Sequence, residues 1–169
     1  AFVAAASGGG RITFLALLGL SVMAVAVGIL HAGLRVFPDA GPIYRGLGLV
    51  TYLVLIYVLT FPGAARDLLV RHAGREVSAL GWTYWGGMLV AAAAAWLMVL
   101  ALWRLRRAPG SRLGTPDLCL LPLALVLAYG ISARGQTSTP RWLVALPFNA
   151  VFLAHAVSLM AQGVRDAEL

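Results

Sequence analysis

Hydrophobic residues in this chain fall into five long runs separated by arginines, prolines and glycines. The clearest run, residues 82–103, holds 22 residues without a charge and has tryptophans at both ends. As a helix it would be roughly 33 Å long, enough to cross a hydrocarbon core of about 30 Å. Tryptophan favours the headgroup level, and the arginines that begin at Arg104 terminate the run. This pattern predicts a membrane-spanning helix.

The other four runs have the same character, which predicts an all-α, polytopic transmembrane helix bundle of about five spans. The fourth run is the shortest and contains Pro122, which leaves open whether it crosses fully. Residues 64–80 mix charges with an approximate helical face that begins at Ala65, Leu68 and Leu69, so we expect a short interfacial helix there. The predicted spans are 12–30, 43–61, 82–103, 118–133 and 142–164, within a single integral membrane domain over 1–169.

Small residues recur every four positions in three of the runs, a spacing that lets another helix approach closely. We predict helix-packing positions at Gly28, Gly87, Ala91 and Ala154 from these stripes. The stripes are Ala24, Gly28 and Ala32; Gly87, Ala91 and Ala95; and Ala150, Ala154 and Ser158.

The composition agrees with a membrane protein, since 61% of residues are hydrophobic, 11% are charged and the mean hydropathy is +0.88. All 13 basic residues are arginine, and the net charge is +7. Because the arginines are scattered between apolar runs, they favour contact with lipid headgroups, and we expect no nucleic acid partner. Their distribution over the two sides is nearly even; the cluster from Arg104 to Arg112 favours a cytoplasmic position for its side.

The predicted spans contain few ionisable side chains, and no acidic residue falls inside any of them. His155 is the one ionisable residue well inside a span. It could act as a proton carrier or as a haem or metal ligand, or it could be a neutral side chain bonded to a neighbouring helix. A haem shared with His31 would require the two histidines at one depth, and helix counting separates them by roughly 9 Å. With Cys119 as the lone cysteine, we expect no cofactor and no metal site.

The fifth run carries a polar intramembrane cluster of Asn149, His155 and Ser158 beside Pro147. We expect a non-enzymatic membrane module, a sensor or assembly partner, because no hydrolase, metalloprotease or phosphate-loop motif is present. A fragment of a small-molecule transporter, with a broken-helix site in span five, is the alternative. An intramembrane enzyme that uses Ser158 with His155 ranks third.

Two stretches have a familiar pattern: 44–67, YRGLGLVTYLVLIYVLTFPGAARD, and 149–165, NAVFLAHAVSLMAQGVR. They resemble spans of the bacterial multi-pass membrane family catalogued as domain of unknown function 2157. The resemblance implies a multi-pass protein of the bacterial cytoplasmic membrane and supplies no catalytic residues. The family's N-terminal helical segment and a further arginine-containing span are missing, so we expect a fragment. The expected partners are the lipid bilayer and other membrane subunits or a second copy.

Overall fold

The computed structural model describes residues 9–32, 40–70, 81–107, 115–134 and 138–167. Every regular element in these ranges is a helix, and they contain no strand. The all-α prediction is therefore confirmed for this part of the chain. The helices are α1 (Gly9–Ala32), α2 (Ala40–Thr60), α3 (Pro62–Leu69), α4 (Gly81–Arg107), α5 (Thr115–Arg134) and α6 (Arg141–Ala167).

Three helices are long and apolar enough to cross a membrane: Ile12–His31 in α1, Ala40–Thr60 in α2 and Arg141–Ala161 in α6. In α4 and α5 the apolar stretches within the described residues are shorter, Leu89–Ala101 and Cys119–Ala133. The prediction of a protein with membrane-spanning helices is supported in this coarse form, and the count of five spans stays a prediction.

Helix α1 is the most enclosed of the three candidate spans. Of its apolar window, 56% is buried, against 22% for α2 and 28% for α6. Its inward face carries Leu18, Val22 and Ala26, each with no exposed surface, and it packs against α2 and α4. Helices α2 and α6 therefore turn a larger share of their apolar surface outward than α1 does.

Helices α1 and α2 form a close antiparallel pair at two glycines. A Cβ at Gly28 would lie 2.7 Å from the backbone nitrogen of Arg45, and one at Gly48 would lie 2.8 Å from the carbonyl oxygen of Ser21. Gly28, near the end of α1, thus contacts Arg45 near the start of α2, which is the order of an antiparallel pair. Separations this short leave no room for a side chain, so glycine at both positions sets how closely the helices approach.

The inner face of α6 consists mainly of larger residues than the predicted small-residue stripe. Val144, Phe148, Val151 and His155 are buried at helical spacing, and the helix packs against α2, α3 and α5. Ala154 itself is half-buried. Contact at this face is therefore provided by side chains that interlock, whereas α1 and α2 meet backbone to backbone.

A break at Phe61 separates α2 from α3. Phe61 has an extended backbone, Pro62 begins the new helix, and the Ala65 amide donates to the Phe61 carbonyl at 2.9 Å. Ala65 and Leu69 are fully buried, so the apolar face predicted for the interfacial helix packs against protein. The remaining residues of that predicted helix, 71–80, lie outside the described residues.

Candidate functional site

A histidine–tyrosine contact joins the central parts of α2 and α6. Tyr52 lies 12 residues after the start of α2, and His155 lies 14 residues after the start of α6. His155 Nε2 is 3.2 Å from Tyr52 Oη, and the two rings meet edge to face with centroids 5.3 Å apart. Tyr52 has no exposed surface and His155 is 2% exposed. The contact is therefore fully enclosed by the bundle.

Tyr52 also contacts the backbone of a third helix. Its hydroxyl donates to the carbonyl oxygen of Leu120 on α5 at 3.2 Å. A phenol has one proton, and a carbonyl oxygen can only accept. Both contacts are hydrogen bonds at the same time only if His155 Nε2 carries a proton and donates to Tyr52 Oη. The geometry thus favours a directional chain from His155 through Tyr52 to Leu120.

Potential metal ligands do not gather at this junction in the described part of the chain. In that part of the chain no group of three or more His, Cys, Asp or Glu side chains could hold a metal ion. Asp67 is the one carboxylate whose side chain is described, and it lies on the exposed side of α3. What the junction does is join three helices that are distant in sequence.

Asn149 makes a second polar contact, at the end of α2. Its Nδ2 donates to the carbonyl oxygens of Thr60, at 3.1 Å, and of Ala145, at 3.0 Å. The last carbonyls of a helix have no amide partner within it, and Pro62 has no N–H to offer. Thr60 Oγ1 donates to Tyr57 O at 2.6 Å in the same turn. Asn149 therefore acts as a cap, supplied by α6, for the broken end of α2.

The three residues of the predicted polar cluster do not form one site. Asn149 bonds to Thr60 and His155 to Tyr52, which lie eight residues apart on α2. Ser158 is half-buried. These contacts correspond to the alternative of a histidine bonded to a neighbouring helix, and both bonds hold α6 against α2 in an antiparallel arrangement.

Tyr52 belongs to this junction, and the sequence analysis does not predict it. The available signal was a tyrosine near the middle of an apolar run, where its hydroxyl needs a partner. A second tyrosine repeats this arrangement: Tyr129 on α5 donates to the carbonyl oxygen of Gly87 on α4 at 2.8 Å. Gly87 therefore accepts a hydrogen bond through its carbonyl, in addition to the helix-packing role predicted from its small size. Ala91, one turn later, lies close to Gly19 on α1.

His31 stands apart from this network. It lies in the last turn of α1. Its Nε2 is covered by protein and makes no hydrogen bond to the described residues. In the described part of the chain it does not combine with other potential ligands into a metal-binding group.

Comparison of this chain with protein-family models, with curated proteins and with solved structures finds no match. The resemblance of residues 44–67 and 149–165 to the bacterial multi-pass family therefore stays a prediction.

Proposed function

We propose that this chain is a five-span, non-enzymatic module of a bacterial cytoplasmic membrane, a sensor or an assembly partner. The observation that carries the proposal is the hydrogen-bonded junction of His155, Tyr52 and Leu120. It ties α6, α2 and α5 together and encloses the histidine at the centre of α6. A catalytic or transport group must meet substrate or water, whereas this group is fully covered by the fold.

Helix lengths and directions support five crossings. Helices α4 and α5 contain 27 and 20 residues, which correspond to about 40 Å and about 30 Å. Their contact joins Tyr129, near the end of α5, to Gly87, near the start of α4, as an antiparallel pair requires. The second and fifth spans of a five-span protein must also run in opposite directions, and the contacts of α2 with α6 have that order.

The outward faces support a lipid environment. On α2, Ile43, Leu47, Val50 and Val54 repeat at helical spacing and are 57–66% exposed. A continuous apolar stripe of this kind is unfavourable in water and is the ordinary outer surface of a span. The bilayer is therefore the first proposed partner, and another membrane subunit would bind on the same faces.

A transporter fragment is the second candidate, and the break between α2 and α3 is the observation that favours it. Discontinuous helices with free backbone groups form the binding sites of many secondary transporters. In this chain the Thr60 carbonyl is already bonded by Asn149. The break is thus satisfied within the fold, which favours the module.

Water access to position 155 tests the two candidates. Cys119 is first replaced with serine, and His155→Cys is then treated with a membrane-impermeant thiol reagent from each side. We expect no labelling, because residue 155 is 2% exposed. Ser138→Cys, in the exposed turn before α6, is the accessible control. Labelling at 155 comparable to that at 138 would favour the transporter.

The same reagent tests the number of crossings. Gly63, Arg104 and Ser138 are exposed near helix ends. With five spans, Gly63→Cys and Ser138→Cys are labelled from one side, and Arg104→Cys from the other. If Ser138→Cys shared the side of Arg104→Cys, α5 would not cross.

A further inference from the structure

Arg45 is an unusual charge because it lies within a candidate span. It is the sixth residue of α2, it is exposed, and no carboxylate pairs with it in the described part of the chain. The described carboxylate, Asp67, belongs to α3 at the other end of α2. An arginine in this position, with no carboxylate of the described residues beside it, can bind an anion or water with its guanidinium group.

The close helix crossing holds the base of this side chain in place. A Cβ at Gly28 would lie 3.0 Å from the Cβ of Arg45 and 2.7 Å from its backbone nitrogen. The first atoms of Arg45 are thus placed against the backbone of α1, and the flexible part begins beyond this contact. Anchoring at the base lowers the conformational entropy that the arginine loses when it binds.

The depth of Arg45 corresponds to the edge of the hydrocarbon core. Arg45 precedes Tyr52 by seven residues, a rise of about 10 Å from the central part of α2. Helical side chains lean toward the helix N-terminus, which is the nearer end of α2, so the guanidinium extends further outward. Half of the hydrocarbon core is about 15 Å thick. The guanidinium therefore reaches the level of lipid phosphates.

The neighbours of Arg45 provide the remainder of a lipid-binding surface. Ile43 and Leu47 are each 66% exposed, and Tyr44 is 48% exposed. The apolar stripe continues along α2 through Val50, so acyl chains can lie below the charged position. Tyrosine favours the headgroup level. Positive charge at the headgroup level and an apolar surface below it match the two parts of an anionic phospholipid.

We propose that Arg45, with Tyr44, Ile43 and Leu47, binds an anionic phospholipid through its phosphate group. The guanidinium donates two parallel hydrogen bonds to phosphate oxygens, a geometry that lysine does not reproduce. This inference rests on the membrane location proposed above and names the lipid class that this end of α2 selects.

Native mass spectrometry tests the proposal on protein released from mixed micelles with equal amounts of phosphatidylglycerol and phosphatidylcholine. We expect the wild-type protein to retain phosphatidylglycerol preferentially. Arg45→Gln should lower that preference about fivefold, the effect of one basic residue near an anionic membrane surface, and Arg45→Lys should restore it in part. Arg104→Gln removes an exposed arginine at the end of α4 and measures the general effect of one charge at the headgroup level; it should lower the preference less than Arg45→Gln does.

Three results would overturn the proposal: an unchanged preference in Arg45→Gln, an equal loss in Arg104→Gln, or displacement of the bound lipid by millimolar inorganic phosphate. The last result would show that the guanidinium binds free phosphate without a contribution from the acyl chains. Labelling of cysteines at positions 63, 104 and 138 in the Arg45→Gln background separates this failure from failure of the proposed topology. Normal labelling with unchanged lipid retention refutes the lipid site alone.

Discussion

Tyr52→Phe is the sharpest perturbation of the polar junction between α2, α5 and α6. Phenylalanine preserves the ring, its burial and its edge-to-face contact with His155. The substitution removes one oxygen atom and with it two hydrogen bonds, to His155 Nε2 and to Leu120 O. The cost of the variant therefore isolates the hydroxyl from the packing.

The expected loss of unfolding free energy is about 1–3 kcal/mol. Interhelical hydrogen bonds in membranes average about 0.6 kcal/mol and reach about 1.7 kcal/mol. A buried polar group that loses its partner adds a desolvation penalty of about 1–3 kcal/mol, and His155 is 2% exposed. Because the unfolded chain in a membrane or micelle also finds partners, the lower half of this range is favoured.

Reversible unfolding in mixed micelles, followed by tryptophan fluorescence, measures this loss. The matched control is Tyr57→Phe on the same helix, where the side chain is 51% exposed and the expected change is within about 0.5 kcal/mol. A double-mutant cycle with His155→Leu should give a coupling of about 0.6–1.7 kcal/mol. An equal cost for both tyrosine variants, or no coupling to position 155, would refute the proposed junction.

Three further predictions concern the close contacts of the bundle and use the same unfolding assay. Gly28→Ala should destabilise the fold by about 1–3 kcal/mol, because a Cβ would meet the α2 backbone at 2.7 Å; Gly46→Ala, with open space around it, should be neutral or slightly stabilising. Gly87→Leu should displace the Tyr129 hydroxyl, 3.4 Å from a Cβ, whereas Gly87→Ala should be tolerated. Asn149→Ala should cost about 1 kcal/mol, because the last carbonyl of α2 loses its donor; an unchanged midpoint would contradict the capping role.

The features of the fold that could be predicted are those that depend on residues close together in the sequence. Hydropathy and length identify the helices, and the ends of α2 and α6 differ from the predicted spans by only a few residues. The prediction at Gly28 depends on a stripe within one run, and the structure places that glycine against α2. The break before Pro62 follows from the missing amide of proline. Each of these features is determined by residues within one short segment of the sequence.

Pairing between segments was less predictable. Polar atoms in a span need partners, which predicts contacts for His155 and Asn149, but the sequence does not show which helix supplies those partners. Tyr52 lies 103 residues from His155 and 68 from Leu120, and no spacing rule connects positions so far apart. The predicted cluster therefore separates into two contacts on α2.

The two contacts of α6 with α2 differ in the substitutions on α2 that they can tolerate. Asn149 bonds to the backbone carbonyl of Thr60 on α2. Because every residue has this carbonyl, the contact does not depend on which side chain stands at position 60. His155 bonds to a side chain, so it depends on a tyrosine hydroxyl at position 52 and, through that hydroxyl, on the position of α5. A shift of α5 that moves the Leu120 carbonyl away from Tyr52 would free the single phenolic proton of Tyr52. Tyr52 could then donate that proton to His155 Nε2 once the imidazole proton lies on Nδ1. Among the described contacts, this enclosed junction connects α5 to α6 through one hydroxyl, and the proposed sensor or assembly role would use that connection.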